Sequence, residues 1–356
     1  MNTHRNNNLV AFAFSRNSVY KVLQSYLVLS MVILTTPVFY GCEKHTHPLD
    51  SDFTEAAKKS SVKLAVLQAE DTHIRSIDAF IFNDDSLRRI DCYQRTDDFK
   101  EDELLIGSCR GNKIAVLCAN PPWGKLEWKD VFSFNRTSSI KVNLEDEDSQ
   151  YPVMSATVQM TAGDYMEVKM ERLTSEVELR SIQCDFSGKP YEGESITDAK
   201  VYLTNVNATC SIVPDRGYTI ERIINHGGLI PEDVINFRDS THISKDLETI
   251  SITPSHPDIR LLCYPNLSAR ETIGTPFTRI VIEGKIQGET WYWPISINRG
   301  CNTGHEGIER NRRYVYDITI RSKGTKDPDT PIVPEMAETT FKTERWKEKE
   351  AYHVTF

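Results

Sequence analysis

Apolar side chains fall at every second position along much of this chain, in short runs separated by polar, turn-forming clusters. A period of two places alternate residues on opposite faces of an extended strand, whereas a helix needs a period near 3.6. Residues 62–68 (VKLAVLQ) put Val62, Leu64 and Val66 on one face, and residues 76–82 (SIDAFIF) set Ile77, Ala79 and Ile81 against Asp78, Phe80 and Phe82. The second run is apolar on both faces, which predicts a central strand. Further strand runs occupy 112–120, 138–144, 155–163, 164–173, 174–184, 199–206, 258–267, 277–286, 290–298 and 313–324. In the last of these, Tyr314, Tyr316, Ile318 and Ile320 face one way and Val315, Asp317, Thr319 and Arg321 the other. Only 231–237 (PEDVINF) and 246–250 (DLETI) read as short helices. Short strands with turn signals and almost no helical period imply an all-β chain of antiparallel β-sandwiches, with short helices confined to loops.

The N-terminus follows another pattern. Val22 to Gly41 is the one long apolar run, preceded by Arg5, Arg16 and Lys21 with no acidic residue among them. Gln24, Ser25 and the break at Thr35, Thr36 and Pro37 make it a poor membrane anchor, and the basic, apolar, small-residue order predicts a signal peptide. Gly41 is followed directly by Cys42, an arrangement that resembles a bacterial lipobox, although Phe39 stands where leucine is usual. Cleavage before Cys42 would leave a lipidated N-terminal cysteine. At about 0.8 kcal/mol per buried methylene, one acyl chain holds a protein marginally and two or three hold it durably. Residues 43–61 are polar, carry Pro48 and read as a spacer between lipid and folded domain.

Removing residues 1–41 takes the net charge from −9 to −12, which argues against nucleic acid as a partner. The remaining 315 of 356 residues exceed one comfortable core and predict two domains, with a boundary near 172/173. Seven cysteines follow Cys42, an odd number with no C-x-x-C spacing, so at least one is free in a monomer, and buried free thiols are expected for most.

Enzyme signatures are missing: there is no G-x-S-x-G, H-E-x-x-H or P-loop pattern, so no catalytic residue and no cofactor is expected beyond covalent lipid on Cys42. Cys42, His45 and His47 have metal-ligand chemistry, but a tether beside a lipidated cysteine makes a poor site, and no metal is expected. The acidic run at 144–150 (LEDEDSQ) lacks the glycine and spaced oxygens of a calcium loop. Trp123, Trp128, Trp291 and Trp293 invite a sugar-stacking alternative, although aromatic alternation in a strand more often builds core.

Several stretches taken in order, the lipobox, RSIDAFIFNDDSLRRI, GNKIAVLCANPP and ERNRRYVYDITIRSKGTKDPDTPIVP, resemble the Bacteroidales fimbrillin superfamily, in particular its lipid-anchored fimbrial anchor proteins. The resemblance implies two transthyretin-like β-sandwich domains, at 62–172 and 173–330, and a non-enzymatic subunit of cell-surface fimbriae held at the outer membrane. It implies other fimbrial subunits as partners, joined by donor-strand exchange, in which C-terminal strands of one subunit fill a groove in a neighbour whose first strand has been cut away. Anchors of this kind keep their first strand. Shaft subunits are trimmed after an arginine, and Arg75, between the first two strand runs, suits such a cut, so a shaft or tip role stands as the alternative.

The C-terminal tail, 331–356, fits strand donation on its own chemistry. Prolines at 328, 331 and 334 interrupt any ladder, the chain resumes with TTFKTERW, and AYHVTF ends it. Tyr352, Val354 and Phe356 form one apolar row on that last strand, which is what an added strand needs to fill pockets while its backbone pairs. The same strand could instead close its own sandwich.

Overall fold

A computed structural model describes residues 60–67, 73–100, 103–127, 130–213, 220–225, 243–300, 306–330, 332 and 336–345. All of them lie in the compact unit that begins at Ala57. Nine strands come from the first half: β1 (Ser60–Leu67), β2 (Ser76–Asn83), β3 (Ile90–Asp97), β4 (Glu103–Ser108), β5 (Asn112–Ala119), β6 (Lys141–Asn143), β7 (Met154–Thr161), β8 (Tyr165–Lys169) and β9 (Glu171–Arg172). The second half supplies β10 (Ser175–Cys184), β11 (Thr197–Thr204), β12 (Val206–Asn207), β13 (Thr209–Ser211), β14 (Ile223–Ile224), β15 (Ser244–Asp246) and β16 (Ile259–Cys263). It continues with β17 (Arg279–Ile286), β18 (Glu289–Ser296), β19 (Arg312–Ile320) and β20 (Ala337–Arg345).

The strands form a three-stranded sheet, β4-β1-β8, and a five-stranded sheet, β3-β2-β5-β7-β9. Two four-stranded sheets follow, β16-β10-β19-β20 and β15-β11-β17-β18. Most ladders are antiparallel, and two are parallel: β1 with β8 and β10 with β19. Local turn chemistry sets the antiparallel neighbours. Between β17 and β18, for example, Gln287 and Gly288 take φ of 52° and 81°, the two-residue hairpin geometry that matches strand twist.

The five-stranded sheet is covered on both faces. Ile77, Ala79 and Ile81 of β2 and Ala115 and Leu117 of β5 pack with Val62, Leu64 and Val66 of β1, Leu104 and Ile106 of β4 and Val168 of β8. From the opposite face, Phe80 and Phe82 of β2 and Ile114, Val116 and Cys118 of β5 join a larger cluster with β10, β11, β17 and β19. This is why residues 76–82 are apolar on both faces, and β2 is a central strand as its sequence predicts. Burying a Val, Leu or Phe side chain contributes about 1.5–3 kcal/mol, so these two strands carry a large part of the stability.

Two local expectations are corrected. Residues 246–250 form no helix: Leu247 donates its amide to the Ala199 carbonyl and Ile250 exchanges both backbone bonds with Ile196, so tertiary ladder bonds hold the stretch extended. Of residues 138–144, only Lys141–Asn143 are strand, and Leu144–Asp146 turn into one 3-10 coil. The other short-helix expectation, 231–237, lies outside the described residues.

Candidate functional site

Strand β1 is flanked on both sides. Six of its residues pair with β4, from Ser60 against Ser108 to Ala65 against Glu103, and five pair with β8, from Lys63 against Tyr165 to Leu67 against Lys169. Val62, Leu64 and Val66 point into the core with no more than 1% exposure. On the outer face Lys63 reaches Glu103 of β4 at 2.8 Å and lies over the Tyr165 ring of β8. The chain thus completes this sheet with its own first strand.

Residues 73–76, at the entry to β2, are tied down by one side chain. Asn120, just after β5, is buried and sits in the left-handed region at φ 52°, a conformation asparagine tolerates. Its Oδ1 accepts from the amides of Arg75 (2.7 Å) and Ser76 (3.5 Å). Its Nδ2 donates to the carbonyls of His73 (2.9 Å) and Pro152 (3.2 Å), and its own amide donates to the Ser76 carbonyl (2.8 Å). The Phe99 amide donates to the Arg75 carbonyl at 3.0 Å. Arg75 itself is exposed, with its guanidinium 4.9 Å from the centre of the Tyr151 ring, while Ile74 beside it is buried.

At the other end of the chain, β20 closes the edge of β16-β10-β19-β20. It pairs with β19 over nine residues, from Ala337 against Ile320 to Arg345 against Arg312. The TTFKTERW segment is therefore seated on its own sheet through Arg345. Cys42, Trp128, Tyr352, Val354 and Phe356 lie outside the described residues.

Three of the four tryptophans weighed as a sugar platform lie among the described residues. Trp293 is fully buried and donates to the Ser322 carbonyl. Trp291 is half-buried, with the Lys326 ammonium 3.5 Å from its ring centre and Lys323 beside it. Trp123 is half-buried against the larger core and donates to Asp78 Oδ2 at 2.9 Å. Asp78 also accepts from Tyr93 and Arg95, but burial outweighs these bonds and holds its carboxyl above the usual range.

Where the first half meets the second, the contacts are polar as well as apolar. β6 pairs with β13, Arg310 donates to the Ser155 carbonyl and hydroxyl, and Tyr264 donates to Glu147. Glu147 is buried, and its carboxyl is pushed up to about 7 by loss of water, against the lowering effect of the Val153 amide and the Tyr264 hydroxyl. Burial likewise raises the thiols of Cys118, Cys210 and Cys263, which suits structural cysteines. Among the described residues, no group of three or more His, Cys, Asp or Glu side chains could hold a metal ion.

No protein-family model matches the chain, and no curated protein matches it. Solved structures do. A cell adhesion protein from Bacteroides eggerthii superposes with a TM-score of 0.61 at 16% identity, covering 81% of this chain and 96% of its own. A fimbrilin from Porphyromonas gingivalis gives 0.58 at 14%, covering 80% and 97%. A tip fimbrial protein from the same species, solved with a C-terminal truncation, gives 0.50 at 10%, covering 81% and 100%. With its covered five-stranded sheet and its predominantly antiparallel strands, this chain has the all-β fold shared by these fimbrilin and cell adhesion proteins of the Bacteroidales.

Proposed function

We propose that this chain is a structural subunit of cell-surface fimbriae, held in the outer membrane by lipid on Cys42, that keeps β1 and offers its last residues to a neighbouring subunit. It is not an enzyme in this reading. The observation that supports it is β1: in the uncut chain this strand is paired on both sides with three buried apolar residues, so the place of a partner's strand stays filled for as long as the chain is not cut. A subunit with its own groove filled can donate and not accept, which is the behaviour of a terminal, anchoring member of a chain of subunits. The placement of β20 supports the donor half of the proposal. Because β20 already lines the edge of its own sheet, Tyr352, Val354 and Phe356 follow a strand that is already paired. An arginine-trimmed shaft role would remove β1, Leu64 included, and uncover Ile77 and Leu117, which share its core cluster.

Deletion of residues 351–356 tests the proposal. The truncated protein should remain at the membrane with an unchanged melting temperature, while fimbriae detach from the cells. A large loss of stability in the purified protein, with fimbriae still attached, would overturn strand donation and show that these residues complete the protein's own sandwich.

A further inference from the structure

The hydrogen bonds around Asn120 converge on one peptide bond, Arg75–Ser76. An exposed arginine in the connection between two strands is an ordinary target for an arginine-specific protease, which must draw several residues into an extended conformation and seat the guanidinium in an acidic pocket. Here each group the protease needs is already engaged. The Arg75 amide is held by Asn120 Oδ1 at 2.7 Å and the Arg75 carbonyl by the Phe99 amide at 3.0 Å. The Ser76 amide lies 3.5 Å from the same Asn120 oxygen, and the Ser76 carbonyl accepts from the Asn120 amide at 2.8 Å. The His73 carbonyl accepts from Asn120 Nδ2, Ile74 is buried in the smaller core, and the guanidinium rests on the Tyr151 ring.

We propose that Asn120 is a clamp that shields the Arg75–Ser76 bond from proteolysis and so keeps β1 joined to the rest of the chain. This rests on the reading that β1 is retained, and adds the residue responsible. Asparagine suits the role because a single side chain supplies an acceptor for the amides of 75 and 76 and a donor for the carbonyls of 73 and 152, at a backbone position with φ of 52°. Cleavage would require the segment to open locally, and the rate then follows the population of that open form.

Trypsin on the purified full chain provides the test, with appearance of a new N-terminus at Ser76 followed by mass spectrometry. Asn120→Gly tolerates the positive φ and removes the side-chain bonds, so it should raise the rate of cutting at Arg75 about tenfold or more. Val201→Ala, a cavity variant in the larger core chosen to match the loss in melting temperature, should leave that rate within about twofold of wild type. Should Asn120→Gly fail to fold, Tyr151→Ala at the half-buried ring decides by the same readout, with an expected increase of a few-fold. The clamp is overturned if folded wild type is cut at Arg75 as fast as at other exposed arginines such as Arg110, or if Asn120→Gly is cut no faster than Val201→Ala. Native protein beginning at Ser76 would overturn the retention reading instead, through N-terminal analysis of membrane-derived material.

Discussion

The Tyr264 hydroxyl donates to Glu147 Oε1 at 2.8 Å, and both side chains are buried where the first half of the chain meets the second. With the Val153 amide on Oε2, the carboxyl has two donors, and the charge of Arg172 also favours its ionised form. Loss of water on burial favours the neutral acid and outweighs both donors.

This gives stability a defined dependence on pH. The carboxyl's folded-state value, about 7, lies above its ordinary 4.5, so the folded form binds the extra proton between these limits. Stability from this group is full below pH 4.5, falls as pH rises towards 7 and is level above it, a loss on the order of 3 kcal/mol. Glu147→Gln mimics the neutral acid and should remove this slope. Urea unfolding of both proteins from pH 5 to 8 measures it, and parallel stability curves would refute the assignment.

Trp123 straps residues 121–126 onto the five-stranded sheet through Asp78, helped by the Leu126 amide on the Tyr93 hydroxyl. Trp123→Phe keeps the ring but takes one donor from a buried carboxylate. The expected cost is about 1–3 kcal/mol in chemical denaturation, with the Asp78 carboxyl displaced further upward.

Gly324 packs directly on β18, where a Cβ would sit 2.0 Å from the Tyr292 carbonyl oxygen and 3.1 Å from Trp293 Cε2. Gly324→Ala must therefore push the 322–325 strap away from the strand, disturbing the paired bonds between Thr325 and Tyr292. A loss of about 1–3 kcal/mol is expected, read as a lower melting temperature together with a change in Trp293 fluorescence.

Cys42→Ala removes the sulfur that would carry lipid. The variant should leave the membrane fraction or accumulate as a heavier precursor that keeps residues 1–41, with no lipid mass by mass spectrometry. Unchanged mass and unchanged membrane association would remove the lipoprotein reading.

Period-two alternation located several strands well, because β2, β5, β17 and β18 lie within a residue or two of their apolar runs and β19 starts within one residue of its own. It missed β3, whose IDCYQRTD sequence is half-buried along nearly its whole length and carries no contrast between faces. Pattern also says nothing about direction, since parallel and antiparallel strands share the same period, and so the pairings of β1 with β8 and β10 with β19 were not legible. The sequence around Asn120 reads only as a polar end to a strand before two prolines. Its partners at 75 and 76 lie 45 and 44 residues earlier, and nothing local announces them. For the tryptophans, the expectation that alternating aromatics build core holds for Trp293, which is fully buried, while the lysines beside Trp291 were not legible from spacing.

The position of β1 between two neighbours has a mechanical consequence. A pull along β1 loads its six pairs with β4 and its five with β8 together, in shear, whereas a strand at a sheet edge has a single ladder to resist the same pull. Any force that reaches Ser60 from the chain ahead of it is shared across both ladders at once. β1 is therefore well placed to bear tension that enters at its N-terminal end.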